Sequence, residues 1–416
     1  MKLKLHWQIL IGMIIGIVIG LIFQNAYDGE PSGLFYESII SLGTIFIRLL
    51  KMVIVPLVFT SIVTGVSGIG SGKRLGWLGI KTFSYYFSTS IIAITIGLLL
   101  TNQINPGEGI TFGEDISTAP LQMDQPASPL ELIIQIVPVN PISAAAKGDM
   151  LSIIFLSIFF GIVITRIQHK YAVFIRNLFQ SFFEAIMKLT EIIITLIPIG
   201  IIGLITKAVA TTGVDLFSAV GKFIVTITVG LSIHWLIILP LIFFLFTREN
   251  IIKHYKAVSS ALITAFTTSS SNATLPVTLK SMEKEVGISN RISSFVIPMG
   301  ATINMDGTAL YECSVVLFIC QVLHFDLTLM QQLIIVFTAL LASIGTAAIP
   351  SASLVTIFII TQAVGLNDPR VGVIIGIILA IDRPLDMFRT MVNVTSDTIG
   401  TTIIARSEGE TELYKS

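Results

Sequence analysis

Between Trp7 and Phe23 the chain carries no charged residue, and long apolar runs of this kind recur to its end. A run of that length can cross a bilayer with little tilt. Inside lipid the backbone must satisfy its own polar groups, which selects membrane helices. Composition agrees: of 416 residues 53% are hydrophobic and 12% charged, where soluble domains hold about 25% charge. The fold class read from this is an all-α polytopic membrane protein. Net charge is zero, so no nucleic-acid partner is expected. Cys313 and Cys320 lie on one apolar segment. Their helical separation of roughly 10 Å is too great for a disulfide. Lys2 and Lys4 ahead of the first run imitate a signal peptide. No small-x-small site follows at 24–27, so the run reads as a retained first helix.

Apolar stretches predict helix 1 near 7–24, helix 2 near 35–66, helix 3 near 80–101, helix 5 near 172–210 and helix 6 near 216–247. Helix 4, near 130–166, is interrupted around Pro138–Pro141 and Gly148. Lys and Arg collect on cytoplasmic loops. Lys2 and Lys4 put the N-terminus inside. Asp28 and Glu30, without Lys or Arg, put the next loop outside. Lys73, Arg74 and Lys81 return the chain inside. The polar stretch 102–128, with Glu108, Glu114, Asp115 and Asp124, is outside. Arg166, Lys170 and Arg176, then Arg248, Lys253 and Lys256, mark two further inside connections. With eight spanning helices both termini are cytoplasmic, and a multi-pass protein of the plasma (cytoplasmic) membrane is expected.

The last apolar stretch is unusual. It carries Asp382, Asp386, Arg389, Asn393 and Asp397. At about 100° per residue these positions share an arc of roughly 80°, with Thr390 at its edge. A charge near the bilayer centre costs at least about 2.5–3.5 kcal/mol, so such groups face a partner, a cavity or a substrate path. Asp386 and Arg389 are spaced to pair. With Arg383 counted, two cations still face three carboxylates. A functional stripe is favoured over charges that only cancel one another.

Two other segments break the membrane pattern. Thr267–Asn272 interrupts 257–280, and Gly345–Ser353 interrupts 329–365. Neither segment has an arm reaching the ~20 residues that span. Both read as re-entrant hairpins with small, hydroxyl-rich tips. Irregular backbone at that depth is tolerated only when buried in protein or lining a cavity. Between them lies 289–322, with Asn304-Met-Asp-Gly-Thr308 in its middle, a sequence that favours local unwinding. The order hairpin, polar helix, hairpin, polar helix is an inverted repeat, the architecture of secondary transporters.

The motifs Ser269-Ser-Ser-Asn-Ala-Thr-Leu-Pro276, Gly300-Ala-Thr-Ile-Asn-Met-Asp-Gly-Thr308, Ser343-Ile-Gly-Thr346 with Pro350, and Asp386-Met-Phe-Arg-Thr-Met-Val-Asn393 with Asp397 closely resemble the glutamate transporter family of dicarboxylate/amino acid:cation symporters. The resemblance covers essentially the whole chain. It implies eight transmembrane helices plus two re-entrant hairpins in an elevator-type homotrimer. Residues 1–79 (helices 1–2) and 129–214 (helices 4–5) would form the scaffold. Residues 80–128 (helix 3 and the outer loop) and 215–416 (helix 6, hairpin 1, helix 7, hairpin 2, helix 8) would form the transport domain. The second hairpin would be the outer gate.

Arg389 offers a planar fork that suits a carboxylate. Asp386, one turn away, suits an ammonium, and Asn393 can hydrogen-bond an α-carboxylate. Together they describe an acidic amino acid, glutamate or aspartate, and the resemblance assigns the same three roles. It completes the pocket with Thr308, Thr390 and the segments at Ser270, Ser271, Ile349 and Ser353. One carboxylate among several neutral oxygens suits a hard cation, and the resemblance implies Na⁺ as the coupling ion; no cofactor is expected. The resemblance implies one Na⁺ site at Asp397 with Asn304, Asn393 and the Gly300 carbonyl. A second is implied at Asp306 with Asn304, Thr89, Ser90 and the Tyr86 carbonyl. The third would be the carbonyls of Thr302, Ser343, Ile344 and Thr346.

Glu312 stands where proton-coupled members carry Glu. It reads either as a proton carrier, since a buried carboxyl can exchange a proton near neutrality, or as a static hydrogen-bonded group. The chain lacks the Arg that family members place at the positions of Ser269 or Met387; Arg383 is the candidate substitute. Phe388 replaces a small residue, and Ala348, Ser351 and Ser353 replace glycines. A C4-dicarboxylate symporter of the same fold would not need Asp386. An ion channel also uses broken helices, but has no use for a combined Asp–Arg–Asn set. An enzyme reading finds no support. Of the five histidines only His234 lies deep in a helix, where packing is its expected role. Gly68–Lys73 departs from a phosphate loop at Ser67 and Arg74.

Overall fold

The computed structural model describes residues 5–26, 32–67, 73–108, 134, 137–147, 149–212, 216–345, 353–366 and 368–414. Among these residues the regular structure is helical throughout. Outside them lie Lys2, Lys4, Asp28, Glu30, most of the 102–128 stretch, the start of the expected helix 4, and the second hairpin tip with Thr346, Ala348, Ile349, Pro350 and Ser351.

The first helices agree with the apolar runs: α1 is Leu5–Ala26, α2 Leu34–Ser67 and α3 Lys73–Ile104. α3 starts a few residues earlier than expected. The interrupted fourth segment becomes α4, Pro141–Lys147, and α5, Met150–Ile164. Asn140 Oδ1 accepts from the backbone N–H groups of Ile142 and Ser143, and Asp149 Oδ1 from that of Ser152. Both caps satisfy donors that a helix start leaves orphaned.

The expected single helix 5 is instead two, α6 (His169–Ile194) and α7 (Ile197–Thr212), bent by 54°. Pro198 explains the correction. It has no N–H to give the carbonyl one turn back, and its ring clashes there. Thr195 and Leu196 close the first helix with short-range bonds, and the Leu196 carbonyl opens the second. α7 packs along α1 on the glycines 12, 16 and 20. A Cβ on Gly12 would lie 2.6 Å from the Pro198 carbonyl oxygen, and one on Gly20 2.7 Å from Val209 Cβ. In lipid, where apolar burial drives little, such backbone approach is what holds two helices together.

Helix 6 comprises α8 (Leu216–Ile233), a π-helical turn at His234–Ile238, and α9 (Leu239–Thr247). Pro240 again gives the reason. Without its N–H the Trp235 carbonyl is left over, and the Tyr255 hydroxyl donates to it at 2.6 Å. A short α10, Ile251–Ala257, leads to the first hairpin: α11 (Ser259–Thr268) and α12 (Ser271–Ser281). Its tip is tight. Ser269 is left-handed at φ 53°, and the Ser270 hydroxyl caps α12 by accepting from Ala273 N.

The helix after the hairpin breaks at Asn304 and Met305 into α13 (Asn290–Ile303) and α14 (Asp306–Val322), as the sequence predicts. The second hairpin has arms α15 (Leu329–Gly345) and α16 (Ser353–Ala363). The striped helix is α17, Pro369–Ser407. α14 is buried on nearly every side, among α3, α8, α15, α16 and α17. It is the axis on which both halves of the repeat meet.

Candidate functional site

The stripe faces inward: Asp382, Asp386, Arg389, Asn393 and Asp397 are all buried. Arg389 is 0% exposed. Its Nη2 donates to Asp382 Oδ1 and Asp386 Oδ1, each at 2.9 Å. The guanidinium lies 3.7 Å from the centre of the Tyr311 ring, a desolvated cation–π contact worth about 2 kcal/mol. Among the described residues Nε and Nη1 of Arg389 have no hydrogen-bond partner. The pairing foreseen between Asp386 and Arg389 is present. Arg383 Nη1 reaches Asp386 Oδ2 at 3.7 Å.

One turn further along α17, the Asn393 carbonyl oxygen accepts from Gly307 N at 2.8 Å, and its amide donates to Thr308 Oγ1 at 3.1 Å. The break between α13 and α14 makes this possible, because it frees the first N–H groups of α14. Thr390 Oγ1 bonds the Asp386 carbonyl on its own helix. The first hairpin brings Ser270 and Ser271, both buried, and packs on α17. From the second hairpin Ser353 is buried, its hydroxyl without a partner among the described residues. Ile349 lies outside the described residues.

Two carboxylates lie beyond the Arg389 cluster. Asp397 Oδ1 accepts from Asn304 Nδ2 at 2.8 Å, and Asn304 Oδ1 is a buried carbonyl oxygen with no partner. The Gly300 backbone abuts both Asp397 and Tyr86; a Cβ there would lie 2.6 Å from the Tyr86 hydroxyl. Asp306 is 0% exposed and accepts from four side chains: Ser90 Oγ at 2.7 Å, Thr89 Oγ1 at 3.2 Å, Ser396 Oγ at 2.7 Å and His234 Nε2 at 3.1 Å. Thr89 Oγ1 also reaches the Tyr86 carbonyl. Among the described residues neither carboxylate pairs with Lys or Arg. Carboxylates, hydroxyls and a spare amide oxygen form a donor set suited to a hard monovalent cation.

The third group is only partly described. Thr302 sits late in α13 and bonds its own helix; Ser343 is buried near the end of α15; the backbone of Ile344 follows; Thr346 lies outside the described residues. Glu312 is fully buried on α14 and accepts a hydrogen bond from Thr356 of the second hairpin.

The structure corrects the packing role expected for His234, whose ring reaches Asp306. It also adds Tyr311 and Ser396, and gives Asp382 a definite role as countercharge to Arg389. Asp382 was visible in the stripe. Ser396 falls about 20° beyond Arg389 on the helical wheel, at the edge of the stripe opposite Thr390; position alone does not separate an edge serine that bonds Asp306 from one that only packs.

Helices broken at mid-length around a buried guanidinium, with two buried carboxylates that meet no Lys or Arg among the described residues, define a membrane transporter of the broken-helix class. The chain belongs to the sodium:dicarboxylate symporter family, whose pattern matches residues 5–407. It is 34% identical to excitatory amino acid transporter 3 of Mus musculus, over 97% of this chain and 86% of that one. It is 34% identical to the proton/glutamate-aspartate symporter of Bacillus subtilis strain 168, over 98% of this chain and 96% of the relative. The proton/sodium-glutamate symport protein of Geobacillus stearothermophilus is 35% identical over the same shares. The family consists of symporters rather than enzymes.

Proposed function

We propose that this chain is a secondary active symporter that takes up an acidic amino acid, L-glutamate or L-aspartate, on the inward flow of Na⁺, with H⁺ as a further coupling ion. One observation carries the reading: buried Arg389 keeps two nitrogens, Nε and Nη1, without a hydrogen-bond partner among the described residues, beside Asp386. A ligand carboxylate completes Arg389, and its ammonium is drawn to Asp386. Asn393 and Thr308 bind the main-chain carboxylate, and Ser270, Ser271, Thr390, Ile349 and Ser353 close the pocket. Na⁺ neutralises Asp306 and Asp397, which gives the substrate and the ions a mutual need. The third Na⁺ site, at Thr302, Ser343, Ile344 and Thr346, completes the set. The printed names of the relatives, glutamate symport with protons or sodium, point the same way.

The moving parts follow the same reading. Residues 1–79 and 129–214 form a static scaffold in a homotrimer; residues 80–128 and 215–416 carry the substrate as an elevator. Loop charges orient both termini to the cytoplasm in the cytoplasmic membrane.

Uptake of labelled L-glutamate and L-aspartate into proteoliposomes, with Na⁺ and H⁺ gradients imposed separately, is the test. Na⁺-driven accumulation, lost in Arg389→Ala and Asp397→Asn, is the expected result. Uptake driven by H⁺ alone would overturn the Na⁺ sites. Succinate preferred over both amino acids would favour a C4-dicarboxylate symporter, and substrate-independent cation current a channel. The proton role rests on Glu312, joined to the second hairpin through Thr356. Glu312→Gln is expected to flatten the pH dependence of uptake; an unaltered profile would make Glu312 a static group.

A further inference from the structure

We infer that His234 is a positioning residue for the coupling-ion site: it anchors one oxygen of Asp306 and thereby presents the other to the ion. The inference rests on the reading of Asp306 as an ion ligand and goes beyond it, because His234 has no place in the sets above.

The Asp306 carboxylate is divided between two pairs of donors. Oδ1 faces Thr89 and Ser90; Oδ2 is held by Ser396 and His234. The donors differ in kind. A hydroxyl both donates and accepts, so Thr89, Ser90 and Ser396 can turn their protons away and offer lone pairs to a cation. A ring N–H cannot do this. With its proton toward the carboxylate, His234 Nε2 only donates, and it keeps its bond whether or not an ion is bound. Oδ2 is therefore the fixed oxygen. Oδ1, between two hydroxyls that can change roles, is the ion-facing one. A carboxylate fixed in this way binds a cation through one oxygen and does not have to be reoriented on each cycle.

Two further features argue against simple packing. His234 is fully buried, and among the described residues its Nδ1 has no partner. Leaving a buried polar atom unsatisfied costs about 1–3 kcal/mol, which a leucine would avoid. The residue also opens the π-helical turn, a distortion often found at functional sites. It is thus placed where the sixth helix departs from regular geometry, across from the break that carries Asp306.

The test compares His234→Gln with His234→Asn in proteoliposome uptake. A glutamine amide nitrogen can overlay Nε2, whereas that of asparagine overlays Nδ1 and falls short of Asp306. Both variants are polar and neutral, so a general cost of substitution affects them alike. At saturating substrate, His234→Asn is expected to raise the Na⁺ concentration for half-maximal uptake about tenfold. His234→Gln should recover it to about twofold of the parent. The substrate KM at saturating Na⁺ should stay unchanged in both. Equal Na⁺ dependence in the two variants overturns the inference, as does a matching rise in substrate KM. If His234→Asn does not insert, a glutamine variant with Na⁺ dependence shifted tenfold or more overturns it, and one within about twofold supports it. Parent protein whose uptake ignores Na⁺ would sink the ion-site reading itself, a result separable from the others.

Discussion

Gly300 is where the backbone comes closest to a buried carboxylate. Any side chain there would press on Asp397 and stand 2.6 Å from the Tyr86 hydroxyl. Overpacking of this kind costs about 1–3 kcal/mol. Gly300→Ala is therefore expected to weaken Na⁺ dependence at least about tenfold and to lower the thermal midpoint modestly, read by Na⁺ titration of uptake and unfolding in detergent. Arg389 supplies a second residue-level expectation. Removing one partner of a buried charge pair costs about 3–5 kcal/mol, because the charge left behind is uncompensated. Arg389→Ala strands Asp382 and leaves Asp386 with Arg383 alone. Adding Asp382→Asn should restore about 1–2 kcal/mol of that loss without restoring uptake; a double variant no more stable than Arg389→Ala would contradict the charge-compensation account. At this scale the sequence was informative about the stripe and poor about its neighbours. Periodicity identifies which residues share a helix face. It cannot tell that Tyr311, from another helix, lies against Arg389, or that His234 and Ser396 converge on Asp306 from 72 and 90 residues away.

The elements tell the same story through their breaks. The interruptions at 267–272 and 304–308 were legible because Ser, Asn, Asp and Gly compete with helical backbone bonding. The bend at Thr195–Leu196 and the wide turn at His234–Ile238 were not, although Pro198 and Pro240 cause them. Proline within an apolar run is tolerated in membrane helices when neighbours take up the freed carbonyl. Whether a kink, a bulge or a full break follows is decided by those neighbours, as the Tyr255 bond to Trp235 shows. Hairpin 1 depends on a local device that can be tested alone. Ser270 caps α12, and replacing such a cap by Ala costs about 1 kcal/mol while Gly costs only a few tenths. Ser270→Ala should therefore lower the unfolding midpoint more than Ser270→Gly does. The reverse order would mean that the hydroxyl serves a ligand rather than the helix.

Across the whole molecule, the last described residues tie distant parts of the chain together. Glu408 pairs with Lys81 of α3 at 2.6 Å and with Arg291 of α13 at 3.4 Å. Glu410 accepts from Ser289 N ahead of α13. Tyr414 N donates to the Val286 carbonyl, and its hydroxyl meets His254 Nδ1 at 2.7 Å. His254 Nε2 meets Thr398 of α17 at 3.0 Å. These ion pairs reach the solvent and contribute little; the enclosed histidine contributes more. Burial pushes the His254 pKa down from 6.5 to about 3. The folded protein therefore holds this ring neutral, while the unfolded chain protonates it below about pH 6.5. Its contribution is fully present above pH 6.5 and is lost as pH falls toward 3, at about 1.4 kcal/mol per pH unit. Unfolding midpoints in detergent should fall from pH 6.5 to 4.5, and His254→Gln, which keeps a polar group between Tyr414 and Thr398, should reduce that slope by one proton. Carboxylates elsewhere titrate equally in both proteins, so the difference between the two curves isolates the ring. Parallel curves would mean that the histidine takes up its proton without unfolding this junction, and that the C-terminal segment yields to acid locally instead of holding the helices as one unit.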